Sequence, residues 1–158
     1  MRTLRIAPAG PADAGELLTV QLAAYVTVAQ QYSAPDVPPL RETIDQILAD
    51  INAPDVLVFG AWLGSRLVGS VRGRPDGDRM EVARFAVAPD VRGRGVGRAL
   101  LGALEAAVPA GVRTLWLRTG EVSTDSIRLY RNAGYEPVGK DTDAAGINMV
   151  VLAKPVPA

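Results

Sequence analysis

Apolar residues recur along the chain with two different periods, that of a strand in some segments and that of a helix in others. Alternation of apolar and polar positions predicts strands, here at residues 3–7, 55–63, 66–72, 80–88, 114–118, 134–138 and 148–153. Apolar residues three and four apart predict helices, here from Asp13, over 40–51, over 96–108 and from Ser123 or Thr124.

The first two helices carry end signals. Asp13 is expected to cap the first helix, with Glu16 completing a capping box. Three prolines within residues 33–39 must end that helix. The second helix is expected to bury one face, which consists of Ile44, Ile47, Leu48 and Ile51.

Turn signals connect the strands in the middle of the chain. Gly64-Ser65 has the composition of a two-residue hairpin, and residues 75–78 (Pro-Asp-Gly-Asp) form another turn signal. The three strands around these turns are expected to form an antiparallel meander. The strand at 114–118 should then lie parallel to the strand at 80–88, through a right-handed crossover.

Composition bounds the chemistry. A chain of 158 residues with 48% apolar residues is expected to form one domain, residues 1–158. It has no cysteine, which excludes disulfides, thiolate metal sites and a cysteine nucleophile. It also has no histidine, which excludes Ser-His-Asp catalysis and histidine metal sites. Acid–base chemistry must fall to Asp, Glu, Tyr, Lys or water, and no metal is expected.

Charge and hydropathy indicate where the protein works. The formal net charge is zero, so no global field attracts nucleic acid or an anionic membrane. The first residues lack the apolar core of a signal peptide, and no apolar run has the length of a membrane span. We therefore expect a cytoplasmic protein without nucleic-acid or membrane partners. The excess of arginine over lysine and the abundant alanine are typical of a GC-rich bacterial genome.

A glycine-rich turn between a strand and a helix is the strongest local signal. Residues 92–97 read Arg-Gly-Arg-Gly-Val-Gly, follow the apolar run 85–89 and open the helix at 96–108. Such a turn presents unpaired backbone N–H groups at a helix N-terminus, which suits phosphate or pyrophosphate. Arg92, Arg94 and Arg98 add full positive charges.

Spacing excludes two common nucleotide loops. A dinucleotide fingerprint would need a small residue at position 98, which is Arg98, and no Lys-Ser or Lys-Thr pair follows as in a Walker loop. A disordered Arg-Gly tract that binds RNA fits poorly between segments predicted to fold. A plain arginine-rich helix cap remains an alternative.

Two motifs together indicate a family. Arg92-x-x-Gly95-x-Gly97, entered from Val87-x-Pro89, resembles the acyl-CoA signature of the GCN5-related N-acetyltransferase (GNAT) family. Residues 129–135, Leu-Tyr-Arg-Asn-Ala-Gly-Tyr, resemble the same family's leucine-tyrosine and glycine-aromatic segment. The order of elements agrees over nearly the whole chain. The resemblance implies the family's single-domain α/β (α+β) fold, with a mixed central sheet of about six to seven strands and helices on both faces.

The resemblance implies a site for acetyl-CoA. The pyrophosphate is expected on the backbone N–H groups of the turn and on arginine side chains, namely Arg92, Gly93, Arg94, Gly95, Val96, Gly97 and Arg98. The pantetheine arm is expected to pair with Phe85, Ala86 and Val87 where two parallel strands splay apart, with the acyl carbonyl near the Val87 N–H. Gly95→Trp or Gly97→Trp is then expected to block acetyl-CoA binding with the fold intact.

Two residues are candidates for catalysis by the same resemblance. Tyr130 occupies the position of a family tyrosine that protonates the departing thiolate; its alternative role is that of a core aromatic. Glu81, six residues before Val87, matches the position of a glutamate base that deprotonates the amine; its alternative role is that of a surface residue. Ser123 and Ser126 are also expected to contact the coenzyme, although both depart from the family pattern: Ser123 replaces a coenzyme-binding asparagine and Ser126 replaces an alanine.

The expected reaction is direct attack of a primary amine, in a small molecule or a peptide, on acetyl-CoA in a ternary complex. The acceptor is expected between the first two helices and the late strands, lined by Tyr25, Tyr32, Asp36 and residues 139–146, with Asp141 and Asp143 attracting a cation. A non-catalytic acyl-CoA sensor and a nucleic-acid-binding protein are the alternatives. The acceptor stays unnamed, and homodimerisation, common in the family, is left open.

Overall fold

A seven-stranded mixed sheet organises the chain in the computed structural model, which describes residues 3–157. The predicted domain 1–158 thus includes Met1, Arg2 and Ala158, which lie outside the described residues. The strands stand in the order β1-β2-β3-β4-β5-β7-β6. Their bounds are β1 Leu4–Pro8, β2 Leu57–Leu63, β3 Arg66–Asp76, β4 Arg79–Val87, β5 Thr114–Gly120, β6 Glu136–Thr142 and β7 Asn148–Pro155. The predicted mixed α/β architecture is confirmed.

Helices cover both faces of this sheet. Their bounds are α1 Ala14–Tyr32, α2 Pro38–Arg41, α3 Ile44–Asn52, α4 Val96–Ala106 and α5 Thr124–Asn132. Two neighbouring residues of β3 show the division, because successive side chains of a strand point to opposite faces. A Cβ on Gly73 would lie 2.9 Å from Leu104 of α4, whereas Arg72 bonds Gln21 of α1 at 2.8 Å.

The predicted connections between the middle strands are present. The strands β2, β3 and β4 form the antiparallel meander, turning at Gly64-Ser65 and at Gly77-Asp78. Strand β3 extends through Pro75 and Asp76. Of the predicted turn at 75–78, only residues 77 and 78 therefore form the turn. Strand β5 pairs parallel to β4 after the α4 crossover, as predicted.

The helix starts differ from those predicted. Asp13 does not cap α1 with its side chain; its carboxylate accepts the Gly10 N–H at 2.8 Å, which closes a short turn before the helix. Glu16 accepts the Leu67 N–H of β3 at 3.3 Å, so the predicted capping box is wrong. The Glu16 carboxylate thus serves as the hydrogen-bond acceptor of a backbone N–H in β3 and not of one at the start of α1.

The predicted second helix is two helices. The chain is extended at Glu42 and Thr43, between α2 and α3, and Thr43 caps α3 in a capping box with Gln46. Ile44, at the first position of α3, is 42% exposed, so its predicted burial is wrong, whereas Ile47 is fully buried. Within residues 3–157, no helix combines the length and the apolar character needed to cross a membrane.

Candidate active site

The parallel strands β4 and β5 stay together for only three residues. Their pairing covers Arg79, Met80 and Glu81, after which β5 continues to pair with β7 as far as Gly120. In the described part of the chain, the edge of β4 beyond Glu81 therefore lacks a partner strand on the β5 side. This opening between β4 and β5 leaves backbone polar groups available to a ligand.

A bulge in β4 lies beside this opening. Ser70 of β3 faces Ala86, whereas Arg72 faces Ala83, so that Arg84 and Phe85 share the place opposite Val71. Arg84 takes a left-handed backbone with φ of 51°, which costs a residue with a side chain about 1–2 kcal/mol. Bulges of this kind redirect a strand and re-aim its side chains, often next to an active site.

The backbone direction of β4 can be followed through the bulge. The Ala88 N–H donates to Val68 of β3 at 2.8 Å. Because successive N–H groups of a strand point to opposite edges, the Val87 N–H points into the opening. The Phe85 carbonyl accepts the Tyr25 hydroxyl of α1 at 3.0 Å. Burial raises the pKa of Tyr25, more than the charges of Arg84 and Arg72 lower it, so Tyr25 remains a donor.

The glycine-rich turn precedes α4 beside the same opening. Gly93 and Gly95 have φ of 79° and 82°, a backbone that glycine adopts without strain. Gly95 is the N-cap of α4, and no side chain caps the helix there. The turn can therefore present N–H groups to an anion, while Val96 is buried in the core.

Gly97 has a different task from the other two glycines. A Cβ at this position would lie 2.8 Å from the Phe85 ring and 3.2 Å from Leu129 of α5. The glycine thus lets α4 pack against β4 and α5. The expectation that Gly97→Trp leaves the fold intact is wrong, because an indole has no room in this contact.

Arg92 and Arg94 of the turn and Arg98 of α4 are exposed. Arg92 reaches towards α1, where its guanidinium donates to the Ala24 carbonyl at 3.4 Å. Arg94 and Arg98 make no hydrogen bond or ion pair within residues 3–157. These two are therefore the side chains left available for a phosphorylated ligand.

Tyr130 forms part of the wall of the opening. Its ring meets Phe85 edge-on at 5.8 Å and Tyr135 at 6.1 Å between ring centres. Burial, and secondarily the Tyr25 hydroxyl, raise the pKa of Tyr130, so the phenol keeps its proton at neutral pH. Its hydroxyl makes no hydrogen bond in the part of the chain that the structure describes, and it can donate to a bound group.

Glu81 lies apart from Phe85 and Tyr130, whereas Ser123 and Ser126 stand at the start of α5, the helix that carries Tyr130. Glu81 is half-buried at the closed end of the opening, four residues or roughly 13 Å along an extended strand from Phe85. The Ser123 hydroxyl is held by the Tyr32 hydroxyl at 2.9 Å. Ser126 is half-buried in the first turn of α5 and makes no side-chain hydrogen bond among the described residues.

Tyr32 ties the end of α1 to the loop after β5. Its hydroxyl also accepts the Val122 N–H at 3.1 Å, and a Cβ on Gly120 would overlap it. Next to it, a cleft of about 390 Å³ opens between loops 33–36, 121–122 and 145–148. Of the residues expected to line the acceptor site, this loop cleft contains Tyr32, Asp36, Ala145 and Gly146.

The two aspartates expected to attract a cation have local partners. Asp141 pairs with Arg118 at 2.9 Å, while one oxygen of Asp143 accepts the N–H groups of Ala145 and Ile147, both at 2.9 Å. Asp143 thereby shapes the turn between β6 and β7. The acidic residues that line the loop cleft are Asp36 and Glu121.

A buried arginine cluster was not foreseen from the sequence. Arg72 is fully buried and donates to both oxygens of Glu42, to Asp50 and to Gln21 at 2.8–2.9 Å. Burial alone would raise the pKa of Glu42, but hydrogen bonds from Arg72 and Gln21 outweigh it and lower the pKa from 4.5 to about 2. The sequence signal that could have indicated this cluster is Arg72 itself, a charged residue inside the apolar run of β3.

The chain is similar to known proteins in sequence and in fold. The sequence profile of the acetyltransferase (GNAT) family matches residues 22–135. An acetyltransferase of Pectobacterium atrosepticum is 36% identical over 86 residues, which are 54% of this chain and 60% of that protein. The chain spans 39% and 60% of the length of two curated relatives that it matches.

Two solved structures share the fold. The ribosomal-protein-S18-alanine N-acetyltransferase of Escherichia coli superposes with a TM-score of 0.80 at 19% identity, over 99% of this chain and 96% of that one. The PaiA N-acetyltransferase of Thermoplasma acidophilum, in complex with coenzyme A, superposes with a TM-score of 0.79 at 19% identity, over 97% and 99%. At such identities the likeness concerns the fold.

Proposed function

The chain belongs to the acetyltransferase (GNAT) family, and from that premise we propose that it transfers an acetyl group from acetyl-CoA to a primary amine by direct attack in a ternary complex. The observation that carries the proposal is the opening beside the β4 bulge, with the Val87 N–H directed into it. A thioester carbonyl placed there would meet a donor aimed at its developing negative charge.

Acetyl-CoA supplies an activated acetyl thioester, and the residues around the opening fit its parts. The uncapped turn of Gly93 and Gly95 would hold the pyrophosphate, with Arg94 and Arg98 beside it. The backbone of β4 from Phe85 to Val87, on the edge that faces the opening, would form hydrogen bonds with the pantetheine amides in the way it would with a neighbouring strand. A relative of the same fold, the PaiA N-acetyltransferase, was solved with coenzyme A.

Protons need a donor and an acceptor in this scheme. Tyr130 is proposed to protonate the departing thiolate, because its hydroxyl makes no hydrogen bond among the described residues and its ring contacts Phe85 beside the opening. Glu81 is proposed to receive the proton of the amine through water, because it lies too far along β4 for direct contact. With no cysteine in the chain, a cysteine acyl-enzyme is excluded and a ternary complex remains the route.

The test is release of CoA over time with a panel of primary amines, followed beside equilibrium binding of acetyl-CoA. CoA release together with the N-acetylated amine supports the enzyme. Tight binding of acetyl-CoA without turnover on any amine would favour the alternative, a sensor of acyl-CoA. We further propose that residues 1–158 act as one domain in a bacterial cytoplasm, and homodimerisation is left open.

A further inference from the structure

A second cleft, of about 610 Å³, opens on the α1 face of the sheet, beside the bulge of β4. We call it the arginine cleft; its charged lining is Arg41, Glu42, Asp50 and Arg84. Two features set it apart from the loop cleft. It lies directly against the bulge that borders the opening, and its positive groups outnumber its negative ones once the neighbouring Arg72 and Arg74 are included.

Both carboxylates of the arginine cleft are already paired with arginines. Glu42 accepts both terminal nitrogens of Arg72 and the Gln21 amide at 2.8 Å. Asp50 accepts Arg72 at 2.9 Å and Arg74 at 2.8 Å through the same oxygen. Arg72 and Arg74 therefore neutralise these two acids.

Arg84 and Arg41 are left as surplus cations. The Arg84 Nε is enclosed and has no hydrogen-bond partner among residues 3–157; it lies 3.5 Å from a Glu42 oxygen that already accepts two donors. Arg41 is exposed and makes no ion pair within residues 3–157. A guanidinium with free donors in a cleft fits a planar anion, which it binds through two parallel hydrogen bonds.

The position of Arg84 relates this charge to the reaction. Arg84 directly precedes Phe85, and the left-handed backbone at the bulge directs its side chain to the α1 face, towards Glu42. The glycine-rich turn, by contrast, leads into α4 on the other face. An anion bound by Arg84 would thus belong to the acceptor and not to the coenzyme.

We propose that Arg84 and Arg41 bind a carboxylate of the acceptor, so that the acceptor is an amine that also carries a carboxylate, such as an amino acid or a short acidic peptide. This proposal rests on the proposed acetyl transfer. The bulge would then serve two tasks, since it opens β4 to the coenzyme and turns an arginine towards the acceptor.

The kinetic test compares α-amino acids and dipeptides with their C-terminal amides, which keep the amine and lose the carboxylate. We expect kcat/KM at least about tenfold higher for the acids. Arg84→Gln should abolish this preference while the KM for acetyl-CoA stays the same, Arg84→Lys should retain part of it, and the surface variant Arg131→Gln should retain all of it. Equal rates for acids and amides, or a preference that survives in Arg84→Gln, would overturn the proposal.

A binding test keeps the proposal separate from the proposed function. Succinate is titrated into the wild-type protein, with succinamide as the uncharged control, and the Arg84 Nε–H resonance is followed by NMR. We expect a saturable shift with succinate alone that is absent in Arg84→Gln. If succinate shifts the resonance but no amine is turned over, the carboxylate site exists but the acetyl transfer, and with it the proposed acceptor class, is contradicted. If succinate causes no shift, or succinamide causes the same shift, the carboxylate site itself is overturned.

Discussion

The Tyr25 hydroxyl donates to the Phe85 carbonyl across 3.0 Å, and this bond joins helix α1 to the bulge of β4. The two residues are far apart in sequence, and they meet where β4 leaves β5. The bond occupies the Phe85 carbonyl from the α1 side, which holds the bulge in place while the next N–H on the same edge, that of Val87, remains unpaired.

Tyr25→Phe is therefore expected to reduce kcat about tenfold and to lower the free energy of unfolding by only about 1 kcal/mol, the usual contribution of one such hydrogen bond. Steady-state kinetics and urea unfolding measure the two effects. A loss of stability without any loss of kcat would assign Tyr25 a structural role alone.

Tyr130→Phe is expected to lower kcat by about 10²-fold or more, as loss of a general acid does, and to leave the Kd for acetyl-CoA nearly unchanged. Tyr135→Phe is the matched control. It removes a hydroxyl from the adjacent ring, which meets Tyr130 edge-on, but this hydroxyl donates to Glu105 at 2.8 Å. Wild-type turnover in Tyr130→Phe, or equal effects of the two substitutions, would return Tyr130 to a packing role.

Gly97→Ala is expected to destabilise the protein by about 1–3 kcal/mol, because its methyl group would meet the Phe85 ring at 2.8 Å. Gly102→Ala, in the same helix, has nothing within 4 Å of the added methyl and should stabilise the helix by up to about 1 kcal/mol. Thermal unfolding of both variants checks the contrast. Equal stability of the two would show that α4 does not pack on Phe85.

The Glu42 carboxyl makes stability depend on pH at the acidic end. Its pKa is about 2 in the folded protein against an ordinary 4.5, so the ionised form stabilises the fold by up to about 3 kcal/mol. Because the folded pKa is the lower one, this stabilisation is complete above pH 4.5 and is lost as the pH falls towards 2.

The urea midpoint of the wild-type protein should therefore fall between pH 4.5 and 2 more steeply than that of Glu42→Gln. The variant should also be less stable at pH 7, since it leaves Arg72 with a buried charge that is only partly paired. Parallel slopes in the two proteins would contradict the low pKa of Glu42.

The order of elements and the glycine-rich turn were predictable because they depend on local periodicity and on glycine and proline signals. The bulge also left a trace in the sequence. Met80 and Val82 keep the strand alternation, but the next residues of the same face are Phe85 and Val87, so the alternation shifts by one residue at Arg84. An uninterrupted strand does not shift in this way.

The partners of side chains across the sheet were not predictable in this manner. The bond of Tyr32 to Ser123, the closure of Arg72 on Glu42 and the contact of Gly97 with Phe85 each depend on how elements distant in sequence pack together. Local patterns carry no information on such distances. The capping role of Asp13 was wrong for a local reason, since the N–H of Gly10, three residues earlier, binds its carboxylate.

The central claim is that the thioester of acetyl-CoA lies beside Val87 in the opening between β4 and β5, with the pyrophosphate at the glycine-rich turn. The chain has a mass of 16.6 kDa, so its amide resonances can be compared by NMR with CoA and with acetyl-CoA bound. We predict that the Val87 amide resonance differs between the CoA complex and the acetyl-CoA complex, whereas the amide resonances of Gly93 and Gly95 are the same in both. An unchanged Val87 amide, with the largest changes in the loop at 143–147, would contradict it.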